Sequence, residues 1–318
     1  MSIKPLIFES EIIELEKKIE DLKNISSLED DSFEGKIDEL EKKLLRVKTN
    51  IYNSLDPSQK IMVARHPMRP YALDYIKLLF DDFVEFHGDR LYRDDPAIVC
   101  GVAKFVDTHV MVVGSQKGRN TKENIYRNFG MANPEGYRKA LRMFYMAEKF
   151  KRPIITFVDT PGAYPGVGAE ERGQAEAIAK NIREMAGLKV PVITIISGEG
   201  GSGGALGIAV GNRVLMLSHS VYSVISPEGC SSILWKSPEY SIKACESLKL
   251  TAQDVVKFGV IDEIIPEPVG GAHRNYAETA DIVKIYIQKH LRELSALSPD
   301  ELVEDRIGKY RKIGVFGS

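Results

Sequence analysis

The 318-residue chain is short of several things, and each shortage narrows what it can be. It has three cysteines, Cys100, Cys230 and Cys245, far apart and without a C-x-x-C pair. That argues against a disulfide framework and against a zinc site held by this chain alone. No apolar run approaches the ~18 residues that a membrane-spanning helix needs. Glutamates occupy the N-terminal stretch where a secretory signal would place a basic and then an apolar segment. An excess of one charge is missing too. The 43 Lys and Arg face 45 Asp and Glu, for a net charge of −2, so bulk electrostatics implies no nucleic-acid partner. The expectation is a cytoplasmic protein without a metal of its own. Its length and its 43% apolar residues are ample for one large core or two.

What the chain does have is glycine, concentrated in one place. Residues 192–197 are a β-branched apolar run, the pattern of a buried strand. Residues 198–204 follow, Gly-Glu-Gly-Gly-Ser-Gly-Gly, and then a small apolar stretch, 205–210, suited to a helix packed closely on a sheet. A glycine cluster at a strand-to-helix turn lets backbone approach a ligand and turns N–H groups outward. Three chemical readings stay open at this level. Gly198, Gly200 and Gly203 fit the dinucleotide fingerprint G-x-G-x-x-G. That reading requires a carboxylate some 20 positions on, where Ser218, His219 and Ser220 stand instead. Gly200, Ser202 and Gly204 fit the nucleophile elbow G-x-S-x-G, with Asp262 and His273 following in hydrolase order. The third reading is an oxyanion-binding turn.

Around this turn the chain alternates strands and helices. Residues 8–24 and 37–55 each carry an apolar seam at helical spacing, joined by the polar segment 24–35, which predicts an antiparallel helical hairpin. Seams this narrow bury little alone, so the hairpin is read as an arm that packs on a partner subunit. Residues 65–70 form a proline-limited linker, with His66 a surface residue of it. A helix from Tyr71 and a loop at 86–90 lead to a hairpin of two strands, 97–106 and 110–114. The loop 115–122 carries Lys117 and Arg119, and helix 134–150 follows. The run 154–158 is a strand, the loop 159–168 holds Gly162, Ala163, Tyr164 and Gly166, and 170–188 is a helix burying Ala175, Ile178, Ala179, Ile182 and Met185. Further strands are expected at 214–217, 221–225 and 260–265, with an amphipathic helix at 276–294 and a polar tail poor in apolar anchors. Glu228 is read as a helix N-terminal charge. The whole is an α/β chain with a ββα rhythm that a plain dinucleotide fold lacks.

Long stretches resemble one family. Residues 154–172, 197–211 and 223–236, together with 65–70, 116–118, 128–131 and 264–275, are similar to the alpha subunit of bacterial acetyl-CoA carboxylase carboxyltransferase. The likeness covers nearly the whole chain. It implies a crotonase-type spiral of ββα units with the N-terminal helical hairpin, divided as 1–56 arm, 57–95 linker and helix, 96–270 carboxyltransferase core and 271–318 C-terminal helical segment. The activity implied is transfer of a carboxyl group from carboxybiotin, held on the biotin carboxyl carrier protein, to acetyl-CoA. The product is malonyl-CoA, at the first committed step of fatty acid synthesis. Backbone N–H groups aimed at a developing oxyanion suit that chemistry, one donor being worth about 10²–10³ in rate.

The resemblance also implies partners: a beta subunit bearing a zinc ribbon, an α2β2 assembly, and biotin carboxylase. On it Gly203 and Gly204 are the leading oxyanion donors, Gly162 and Ala163 the second pair, and Arg119 with Lys117 the cations for the transferring carboxylate. Gly201, Ser202, Tyr164 and Gly166 complete the expected carboxybiotin site. Two alternatives are a serine hydrolase acting through Ser202 and a non-catalytic scaffold for the beta subunit.

Overall fold

A computed structural model describes residues 5–26 and 33–314. Among these residues one mixed sheet of eight strands organises the chain. The strands are β1 (Asp81–Glu85), β2 (Ile98–Phe105), β3 (Thr108–Ser115), β4 (Ile154–Thr160), β5 (Val192–Gly201), β6 (Arg213–Leu217), β7 (Val221–Ser223) and β8 (Glu263–Ile265). Their order is β1-β2-β3-β4-β5-β6-β8, with β7 paired to the end of β5. The first three run antiparallel. From β3 onward neighbours are parallel, and each parallel step needs a crossover long enough for a helix.

The central strands are buried on both faces, which explains their near-continuous apolar sequence. Side chains alternate between two cores. Ile154, Val158, Val192 and Ile196 meet Tyr137, Phe144, Ala177 and Met185 from the helices Pro134–Lys149 and Gln174–Gly187. Ile155, Phe157, Ile193 and Ile195 meet Tyr75, Ile76, Val283 and Ile287 from the helices Ala72–Leu79 and Tyr276–Ser295.

The hairpin forms as expected, from helices Ser10–Ser26 and Glu34–Asn53, and the cross-helix pairs Lys23–Glu41 and Lys48–Glu16 make it antiparallel. Part of its expected connection, 27–32, lies outside the described residues. Its base is spent on its own chain. Glu9, fully buried, accepts from Tyr52 and from Arg274, and Ile12, Tyr52, Leu55 and Val63 form a small core of their own.

Several expectations are corrected. β1 is not among the expected strands, because its Asp-Asp-Phe-Val-Glu sequence has the charge of an edge strand and not the pattern of a buried one. The expected helix 170–188 is broken at Gly173, which adopts φ +83. The shifted face buries Gln174, Ala177, Asn181 and Met185 and leaves Ala175 and Ala179 exposed. The polar tail is a helix, Pro299–Arg311, anchored by a fully buried arginine. Arg306 donates to the carbonyls of Met185, Leu188 and Val190 and to Asn212, so it serves the open C-terminal carbonyls of another helix. An apolar-pattern search could not see it.

Candidate functional site

Ligands of parallel sheets gather outside the carboxyl ends of the strands, and there β4 and β5 end in the two glycine loops. Strand β5 is irregular just before its end. Between the pairs Val158↔Ile196 and Thr160↔Gly200, β4 advances two residues while β5 advances four. Beyond this bulge β5 leaves β6 and pairs Glu199, Gly200 and Gly201 with Val221, Tyr222 and Ser223 of β7. The turn is thereby carried out of the main ladder and laid against the loop after β4.

The glycines serve that contact and not unusual dihedral angles. A Cβ at Gly198 would stand 2.4 Å from the Asp159 carboxylate, at Gly200 2.6 Å from the Tyr222 ring, at Gly201 2.2 Å from the Pro161 carbonyl, and at Gly204 2.3 Å from the Ala163 amide nitrogen. All four approaches forbid a side chain. Gly203 is different, since its Cβ would meet nothing closer than Ile178 at 3.7 Å. The residue held at positive φ is Ser202, at +50°. Ser202 opens the short helix Ser202–Leu206, whose first turn has no side-chain cap, so the N–H groups of Gly203 and Gly204 have no intrahelical partner. Of the second expected pair, the Gly162 N–H is already given to Thr160 Oγ1 at 3.1 Å. Gly162 and Ala163 nevertheless lie directly against Gly204, so the two candidate pairs are one constellation. A cavity of about 330 Å³ opens beside it, walled by Ser202, Gly203, Leu206, Tyr222, Val255 and Phe258 and largely apolar. Tyr164 and Gly166 stand further along the β4 loop: a Cβ at Gly166 would lie 2.4 Å from the Tyr164 ring, and Tyr164 N–H donates to Ala132.

The two expected cations are both paired within the chain. The Lys117 side chain is 13% exposed, its Nζ 2.6 Å from Asp159 Oδ1 and 3.2 Å from Glu199 Oε2. Burial pushes Lys117 down, but Asp159 and Glu199 outweigh it and hold the ammonium above its ordinary range. Glu199 also accepts from Arg65 at 2.6 Å, and Arg65 reaches on to Glu228. Burial pushes Glu199 up, and Lys117 and then Arg65 bring it below the ordinary carboxylate range. Arg119 is held within the linker and its neighbours. It donates to the carbonyls of Pro67 and Arg69, pairs with Asp74 and lies over the Tyr71 ring at 3.9 Å, pinning the 65–70 linker. His66 is no surface residue either: it is buried and lies against His273 with ring centroids 4.2 Å apart. Burial, and then His66, lower His273 to about 3.

Sequence reasoning passed over Arg65, Asp159 and Glu199. The signal was there in Asp159 and Glu199, two carboxylates near the ends of otherwise apolar strands, where burial demands pairing.

The hydrolase constellation does not assemble. Asp262 accepts from Val214 N–H and Lys309, and His273 faces His66 and Glu9, so neither serves Ser202. The dinucleotide reading fails as well, because the helix after the turn is five residues long. Among the described residues no group of three or more His, Cys, Asp or Glu is placed to hold a metal, and no helix is long and apolar enough to cross a membrane.

The fold is that of the crotonase-type carboxyltransferases. The chain aligns with a solved transcarboxylase 12S over 69% of its own length and 42% of that longer chain, at TM-score 0.53 and 19% identity. It also aligns with a subunit of a Pseudomonas malonate decarboxylase hetero-tetramer, over 67% and 86%, at 0.56 and 16%. Residues 5–314 match the family model described as acetyl co-enzyme A carboxylase carboxyltransferase-like. Relatives include the acetyl-coenzyme A carboxylase carboxyl transferase subunit alpha of Geobacter metallireducens, 58% identical over 98% of both chains. The protein of the same description from Halalkalibacterium halodurans is 54% identical over 98% of this chain and 96% of its own. The chain belongs to this acetyl co-enzyme A carboxylase carboxyltransferase family.

Proposed function

We propose that this chain is the alpha half of an acetyl-CoA carboxylase carboxyltransferase and that its glycine turn receives carboxybiotin. When bound, carboxybiotin supplies the carboxyl group that acetyl-CoA takes up to become malonyl-CoA. The observation that carries the reading is Gly203. Packing forbids a side chain at Gly198, Gly200, Gly201 and Gly204, but leaves room for one at Gly203. That residue lines the cavity and presents an uncapped N–H. A group with an apolar body and a polar urea at one end fits a cavity of about 330 Å³ with apolar walls and amide donors at its end. The Gly203 and Gly204 N–H groups, with Ala163 beside them, would hold an oxygen that gains negative charge. Fixed dipoles of that kind need no reorganisation as the charge develops. Ser202 would hydrogen-bond the donor without becoming a nucleophile.

The partners follow from the same reading. Val224, which lines the cavity, and Ile233, Leu234 and Ile242 of the helices that follow are 62–78% exposed, more apolar surface than a lone chain keeps without use. We assign it to the subunit that brings acetyl-CoA, a zinc-ribbon beta chain in an α2β2 assembly. The biotin carrier and biotin carboxylase act with it, in the cytoplasm. The 1–56 arm would add contacts through its solvent-facing side, where Leu45 is exposed.

The test fills the cavity. In the reconstituted complex, Leu206→Trp should raise KM for the carboxylated carrier at least tenfold, leave KM for acetyl-CoA within twofold and keep assembly intact. An unchanged carrier KM in an assembled complex would remove the cavity from the site.

A further inference from the structure

The bulge in β5 is what brings the two glycine loops together, and side chains around it hold its backbone open. Asp159 Oδ1 accepts the Glu199 N–H at 2.9 Å as well as Lys117 Nζ. The Ser197 carbonyl accepts from Arg69 Nε at 2.6 Å, and the Ser197 hydroxyl donates to Val158 O. The backbone groups of the bulge that lose strand partners thus find side-chain ones. Asp159, which does part of this, and its neighbour Glu199 are both buried, and left alone the two carboxylates would repel each other and shed water at high cost. Lys117 lies between them, with Arg65 on the outer side of Glu199.

We infer that Lys117 is a positioning residue: by neutralising Asp159 and Glu199 together it fixes the bulge of β5, and through it the spacing of Gly203 and Gly204 from Gly162 and Ala163. Lys117 does not contact the carboxyl donor. This deepens the proposed function and rests on it, since the turn must be where transfer occurs. Small displacements of oriented donors lower turnover steeply, so the effect belongs in kcat and not in binding.

The experiment measures malonyl-CoA formation by the complete complex, with Lys117→Met, Glu199→Gln and the double variant beside the unchanged protein. Lys117→Met leaves Asp159 without its ion pair and Glu199 with Arg65 alone. Its kcat should fall about 30-fold or more while both KM values stay within threefold. Adding Glu199→Gln to it removes one negative charge but keeps an acceptor for Arg65, and should restore kcat at least tenfold over the single variant. Lys117→Arg should retain most activity. Hydrogen exchange of the 195–201 segment in the free chain, a readout independent of turnover, should quicken in Lys117→Met and slow again in the double variant.

If Lys117→Met raises KM for the carboxylated carrier and the double variant does no better, Lys117 touches the donor and the inference is wrong. Unchanged kcat in Lys117→Met also overturns it. Should Lys117→Met fail to fold, Glu199→Gln alone decides, and the inference is lost if neither its kcat nor its exchange at 195–201 moves. An unchanged complex that forms no malonyl-CoA would instead refute the proposed function, leaving the exchange result to stand or fall by itself.

Discussion

Gly203 and Gly204 look alike in the sequence and differ in what surrounds them. Both stand in the same run and carry the same expected role, but the atoms that distinguish them belong to Gly162 and Ala163, in the loop after the preceding strand. A Cβ at Gly204 would enter the Gly162–Ala163 backbone, which cannot retreat, whereas one at Gly203 has ordinary space. Gly204→Ala should therefore destabilise the chain by about 1–3 kcal/mol, the usual cost of overpacking. Gly203→Ala should be neutral or stabilising by up to about 1 kcal/mol, as helix propensity favours alanine. Urea unfolding of the two variants checks this, and equal losses would mean the turn packs differently. It follows that Gly204→Val reports on folding before it reports on catalysis. Arg119 and Lys117 teach the same lesson. A basic loop reads as a grip on an anion, and only tertiary contacts reveal that both cations serve internal acceptors.

At the scale of elements, periodicity located most of the sheet. The runs ending in Val158 and Val214–Leu217 are apolar because both their faces are covered, and that pattern is local. The bulge of β5 left no such trace: Ser197, Gly198 and Glu199 have little in common except the side chains that reach them from β4 and the linker. The hairpin shows the converse. Its seams were legible, but their partner was not, since Glu9 and Arg274 are 265 residues apart and nothing near either one announces the pair. Glu9 accepts from the Leu6 N–H, Tyr52 and Arg274 while fully buried. Removing one member of such a buried cluster strands the others. Glu9→Ala should lower stability by about 3 kcal/mol or more, seen as an earlier unfolding midpoint without a change in slope. A loss under 1 kcal/mol would mean that the hairpin base is loosely held and free to leave its own core.

For the whole molecule, the sequence motifs marked the turn and the loop beneath it, and the fold supplied what motifs cannot: which backbone groups are free. Gly203 lines a cavity with Gly204 beside it in the chain and Ala163 against Gly204, whereas Gly162 has given its N–H to Thr160. The central claim is that the amides of Ala163, Gly203 and Gly204 meet the carboxyl donor. The measurement that tests it most directly is hydrogen exchange of the assembled complex with and without saturating biotin methyl ester, read at single-amide resolution over 161–164 and 201–206. The account predicts slower exchange at Ala163, Gly203 and Gly204, with Gly162 unchanged. Protection confined to other segments, in a complex that demonstrably binds the ester, would contradict it.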